Sequence, residues 1–192
     1  MTRTMPNHPF YQSDTGKSRL RNVLLAYAYH SPEIGYCQGM NYIISILLLT
    51  MNEEEAFWTF HAIMTNYEMK DFFGDNVILL GSSLTQFELC LKEFCPEVIQ
   101  LFKREGVLVS VFATSWFHTL FSRDSQLVFV QRLWDIFFNE GFSIIFRTAV
   151  ALVIEAKDLI VAYDVGSIKD YFKIATQHIT NPEIILNAAL KI

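Results

Sequence analysis

The chain is predicted to be all-α, and three features of its sequence predict this. Apolar residues recur at helical spacing from one end to the other, and period-two alternation bounded by turn residues is absent. Only five prolines and eight glycines punctuate the 192 residues. A hydrophobic fraction of 52% against 18% charged residues fills a substantial core and excludes a disordered chain. The length suits one large domain or one domain of two small lobes, and no fixed repeat marks a solenoid.

The elements follow in order. Leu20, Val23, Leu24 and Tyr27 form the i, i+3, i+4, i+7 stripe of an amphipathic helix, interrupted at Ser31-Pro32-Glu33. Residues 42–49 are apolar on every side, which predicts a helix buried at the centre of a domain. Asn52 and Glu55 make a capping-box pair, and the acidic turn Glu53-Glu54-Glu55 suits the positive end of a helix whose face carries Phe57, Phe60, Met64 and Tyr67. Residues 71–81 read as a loop or short irregular helix. From Ser83 the stripe Leu84, Phe87, Leu91, Phe94 resumes, Pro96 opens another helix, and Lys103, Arg104 and Gly106 stop it. Trp116, Phe117, Leu120 and Phe121 close the next helix before the polar break at 122–125. Leu127, Val130, Trp134 and Phe137 mark one more, ended by Asn139-Glu140-Gly141. A long apolar helix over 142 to about 162 follows, then a turn at 164–167 and a stripe of Ile168, Tyr171, Phe172, Ala175 and Ile179. Thr180-Asn181-Pro182 caps a last helix that continues to Ile192. By their spacing Trp58, Trp116 and Trp134 are expected in the core.

Charge and composition narrow the function. A net charge of −5 argues against nucleic-acid binding, which requires a basic surface. Arg3, Lys17, Arg19 and Arg21 face only Asp14 near the N-terminus, as a solvated helix end or a phosphate-facing surface. Cys37, Cys90 and Cys95 have no CxxC spacing, which fits core thiols in a reduced setting better than disulfides or zinc. No apolar run reaches the roughly 18 residues of a membrane span, and residues 1–6 contain no signal-peptide core. A cytoplasmic protein without a transmembrane segment is expected.

Self-contained catalysis finds little support. GxSxG, HExxH, GxGxxG and GxxxxGK[ST] are missing, and His8, His30, His61, His118 and His178 include no i, i+4 pair. One segment departs from the helical routine. Gly35-Tyr36-Cys37-Gln38-Gly39-Met40-Asn41 sets a neutral amide between two glycines, just before the buried helix. On the residues alone it is either a capped interhelical turn whose glutamine satisfies local backbone or a presented functional glutamine. Asn41 is placed to hold the Gln38 loop through its backbone.

The string Ile34 to Asn41 resembles the YxQ motif of TBC domains, the helical modules of GTPase-activating proteins for Rab-family small GTPases. Arg3 to Phe10, the helix at Leu20 to Tyr27, Glu53 to Trp58, Trp116-Phe117 with Leu120-Phe121, and Trp134-Asp135 resemble further family segments in family order. The resemblance implies a multi-helical domain of two packed lobes, over residues 1–105 with the motifs and 106–192. It also implies an activator that works in trans, with no turnover of its own. Gln38 would be its glutamine finger, Tyr36 the motif tyrosine, Gly35, Gly39 and Asn41 the support, and Arg3 the arginine finger of the IxxDxxR motif, since Arg-Thr-x-Pro stands here as in the family. The Ile and Asp of that motif would precede Met1, so a domain lacking its N-terminal helices is expected. Two roles remain for Arg3, a catalytic finger or a terminal residue with no fixed place. The partner would be a Rab GTPase carrying GTP and Mg²⁺, with no cofactor or metal held by this chain. Membrane association would be indirect, through the Rab at endomembranes, in vesicle trafficking. The competing reading is a non-catalytic Rab-binding scaffold.

Overall fold

A computed structural model describes residues 4–5, 8–73 and 78–192. Among them the chain forms α-helices and two short 3₁₀ turns and no strand, so the all-α expectation holds. Contacts divide the chain into two compact units, Met1–Ile78 and Leu79–Ile192. The expected lobe division was after residue 105. The segment at 79–105 groups with the later helices: Phe87 packs its ring against Trp116 and Phe117, and Phe102 against Phe112 and Phe172.

The first unit holds α1 (Pro9–Gln12), α2 (Asp14–His30), α3 (Met40–Leu47), α4 (Glu53–Thr65) and a 3₁₀ turn at Met69–Phe72. Leu20, Val23, Leu24 and Tyr27 are buried along α2, as their spacing requires. All of α3 is buried except Tyr42, which is partly covered. The Tyr27 ring meets Phe60 of α4 edge-on at 4.7 Å, a preferred aromatic geometry. Asn52 and Glu55 complete the capping box, each accepting from the other's backbone N–H at 3.0 Å. Gly16 lets α1 lie against α2: a Cβ there would stand 2.0 Å from the Phe10 carbonyl oxygen. Tyr11 donates its hydroxyl to the Ser45 carbonyl at 2.6 Å, which ties α1 to α3.

The second unit holds α5 (Ile78–Phe94), α6 (Pro96–Glu105), α7 (Ser110–His118), α8 (Leu127–Glu140), α9 (Ser143–Ile160), α10 (Val165–Ile174) and α11 (Pro182–Ala189). Its core is aromatic. Phe112 stacks on Phe172 at 4.6 Å, and Trp116 stacks on Phe121 at 5.4 Å. Gly106 and Gly141 end α6 and α8 with φ of 65° and 74°, the left-handed region in which glycine has no steric cost.

Some expectations shift. Helix α5 starts at Ile78, so Gly81 is helical, while residues 74–77 of the expected loop lie outside the described residues. Leu120 and Phe121 lie beyond α7 in left-handed conformations, at φ 49° and 61°, with the Leu120 carbonyl accepting from Trp134 Nε1 at 2.9 Å. The last helix stops at Ala189. Trp116 and Trp134 are buried, but Trp58 is 52% exposed. On α4 it stands two positions before the buried Phe60, which turns it out of the core to lie against His30 at the end of α2. No described helix is long and apolar enough to cross a membrane.

Candidate functional site

The site begins where α2 ends. The Ser31 N–H still donates to the Tyr27 carbonyl, and the Ser31 carbonyl accepts from the N–H groups of Ile34 and Gly35 at 3.1 and 2.8 Å. Those bonds curl the chain back, and Gly35 completes the curl at φ 64°. Residues 36 to 38 then run to Gly39, whose φ of 114° lies where side-chain-bearing residues are rarely found. Met40, fully buried, opens α3 immediately afterwards.

Gln38 is exposed at the crest of this turn, and among the described residues its amide has no hydrogen-bond partner. The turn beneath it is held from several sides. The Cys37 N–H faces Met40 Sδ at 3.3 Å, and the Cys37 carbonyl accepts from Met40 N–H at the same distance. Asn41 Oδ1 accepts from the Gly39 N–H at 3.2 Å. These bonds fix the backbone from which the Gln38 side chain projects, which lowers the ordering cost of using it.

Tyr36 is 55% exposed beside the turn. Partial burial, then the neighbouring Tyr42 and Cys37, pushes its phenol above the ordinary value. It lines a cleft of about 300 Å³ together with Thr4, Arg21, Leu24, Leu25 and Asn41. The wall is mostly apolar, with Arg21 as its cation.

Gly35, Tyr36, Gln38, Gly39 and Asn41 are thus brought together, and Arg3 lies outside the described residues. Thr4, the residue after it, is 3% exposed and accepts from Asn41 Nδ2 at 2.8 Å. Sequence reasoning did not find Thr4. Its partner is 37 positions away, and the threonine of the Arg-Thr-x-Pro string carries no signal of which amide it meets. Asp135, which follows Trp134, accepts from Arg132 at 3.0 Å in the second unit. Arg132 also bonds Glu183 at 2.9 Å and so links α8 to α11. His30 and His61 have their rings 4.9 Å apart, packed with Phe57 and Trp58 on the outside of α2 and α4. No group of three metal-ligating side chains occurs among the described residues.

An all-helical chain that presents a glutamine from a two-glycine turn at the head of a buried helix has the pattern of a TBC module. The profile of the Rab-GTPase-TBC domain family matches residues 1–160, and the chain belongs to that family. It is 33% identical over 196 residues to the human ecotropic viral integration site 5 protein homolog, covering 100% of this chain and 24% of the relative. It is 34% identical over 172 residues to the Rab GTPase-activating protein eat-17 of Caenorhabditis elegans, covering 89% of this chain and 19% of that one. The crystal structure of the Chlamydomonas flagellar RabGAP TBC domain superposes with a TM-score of 0.87 at 29% identity, over 99% of this chain and 64% of its own. The chain therefore spans a quarter or less of those two curated relatives.

Proposed function

We propose that this chain is a GTPase-activating module for a Rab-family GTPase, to which it offers Gln38 and Arg3 in trans. The observation that carries the proposal is Gln38: exposed, its amide free among the described residues, on a turn fixed by Gly39 and Asn41 at the start of a buried helix. Family membership and a relative named a Rab GTPase-activating protein support the reading.

The chemistry asks little covalent work of such a protein. Phosphoryl transfer is accelerated by placing the attacking water and by stabilising the charge that spreads over the transferred group. A glutamine head accepts a hydrogen bond from water with its carbonyl and donates one to a phosphate oxygen with its amide, while remaining uncharged. An arginine adds a permanent positive fork for the γ-phosphate and the leaving oxygen. GTP and Mg²⁺ belong to the partner, and this chain contributes side chains alone. The module acts in the cytoplasm at endomembranes through the Rab it engages, within vesicle trafficking.

Single-turnover GTP hydrolysis by a panel of Rab proteins tests the proposal, with this chain, Gln38→Ala and Arg3→Ala. Loss of an arginine finger costs about 10³–10⁵ in rate, and loss of one charge-stabilising donor about 10²–10³. Both variants are expected to lose acceleration on that scale while still binding the GTPase. Equal rates for all three proteins with binding intact would leave a non-catalytic Rab-binding module instead.

A further inference from the structure

Asn41 is the only residue of the motif whose side chain reaches both finger-bearing segments among the described residues. Its Oδ1 accepts from the Gly39 N–H at 3.2 Å, directly after Gln38. Its Nδ2 donates to Thr4 Oγ1 at 2.8 Å, directly after Arg3. Both bonds are buried, with Asn41 8% and Thr4 3% exposed. The orientation of the amide follows from chemistry. A backbone N–H can only donate, so the carbonyl end faces Gly39, and the NH₂ end is left for a hydroxyl oxygen that accepts.

We infer that Asn41 is a positioning residue that ties Thr4 to the turn carrying Gln38, so that one side chain braces the Gln38 turn against the segment before α1. The inference rests on the activator reading of the site. Two fingers on separate segments must converge on one phosphoryl group, and a misplacement of about 1 Å costs on the order of 10²-fold in rate. The Asn41 amide ties Thr4 to α3 across 37 positions, and it is shielded from water that would compete for both bonds. The cleft lined by Thr4, Tyr36 and Asn41 opens beside this link.

Thr4→Val keeps the shape of the side chain and removes the acceptor; Thr4→Ser restores the hydroxyl. In single-turnover hydrolysis Thr4→Val is expected to lower the maximal rate by about 10- to 100-fold. The GTPase concentration giving half that rate should move by less than about threefold, because Thr4 is only 3% exposed and valine keeps its shape. Thr4→Ser should recover the rate to within about threefold. A second arm needs no GTPase: amide hydrogen exchange at Gly39 should quicken by about tenfold in Thr4→Val and return in Thr4→Ser, since one hydrogen bond is worth about that factor. A Thr4→Val protein with unchanged maximal rate and unchanged Gly39 exchange overturns the inference. So does a Thr4→Val defect that serine does not rescue. Absence of acceleration by the unaltered chain overturns the activator reading alone. The exchange arm then still decides whether Asn41 couples the two segments.

Discussion

Gly39 and Gln38 are neighbours with opposite demands. Gly39 is buried at φ 114°, so a methyl group there meets backbone strain. A residue forced into such a conformation costs about 1–3 kcal/mol. Gly39→Ala is expected to lower unfolding free energy by that amount in urea titration and to abolish GTPase activation, since the turn that aims Gln38 would be reshaped. Gln38→Ala should abolish activation too, yet leave stability within about 0.5 kcal/mol, because its side chain is exposed. Equal destabilisation by both changes would show that Gln38 is part of the packing. The sequence made much of this readable: an amide between two glycines, ahead of an apolar run, marks a special backbone whatever its use. The link from Asn41 to Thr4 was not readable, because a single long-range hydrogen bond leaves no periodic trace.

Helices were legible to the extent that their ends carry chemistry. Asn52 with Glu55, Pro96 at the first turn of α6 and Gly106 at its end are local devices, and each stands where the residues put it. Gly81 misled because a glycine beside undecided residues reads as a loop, whereas the helix runs through it. Two helical glycines now make contrasting predictions. A Cβ at Gly81 meets nothing within 4 Å, so Gly81→Ala should stabilise the chain by about 0.4–1 kcal/mol through the unfolded state. At Gly16 a Cβ would meet the Phe10 carbonyl oxygen at 2.0 Å, and α1 must move to admit it. Gly16→Ala is therefore expected to cost about 1–3 kcal/mol, as overpacking does. Urea midpoints moving in the same direction for both variants would contradict the α1–α2 contact. The left-handed residues Leu120 and Phe121 lay beyond sequence reading for a different reason. Their conformation is held by local backbone bonds and by one tertiary bond, from the indole of Trp134, and apolar residues announce no such turn.

Across the whole chain, the aromatic richness that suggested a large core also sets its response to alkali. Burial raises the phenols of Tyr11, Tyr27 and Tyr171 above their ordinary value of 10.0, with the Arg19 charge partly opposing this at Tyr11. A group with a raised folded value contributes stability that is present below its unfolded value and lost as pH rises through the folded one. Stability is thus expected to fall as pH rises above 10.0, and to fall less steeply in Tyr11→Phe, which also forfeits about 1 kcal/mol with its bond to Ser45. A denaturant series across alkaline pH that gives parallel curves for both proteins would rule out Tyr11 as a contributor. The two-lobe organisation was implied by family resemblance and not by composition, and the division into units falls at Ile78, with the Phe87 ring of α5 already set against Trp116 and Phe117. That same partition sorts the three tryptophans: Trp58 alone belongs to the first unit and is half in water, while Trp116 and Trp134 are enclosed in the second. The molecule therefore carries two optical channels. Blue emission from the enclosed indoles reports on the integrity of the second unit. Red-edge emission, open to acrylamide quenching, comes from Trp58, so a protein that covers the outer face of α4 can be followed with no dye attached.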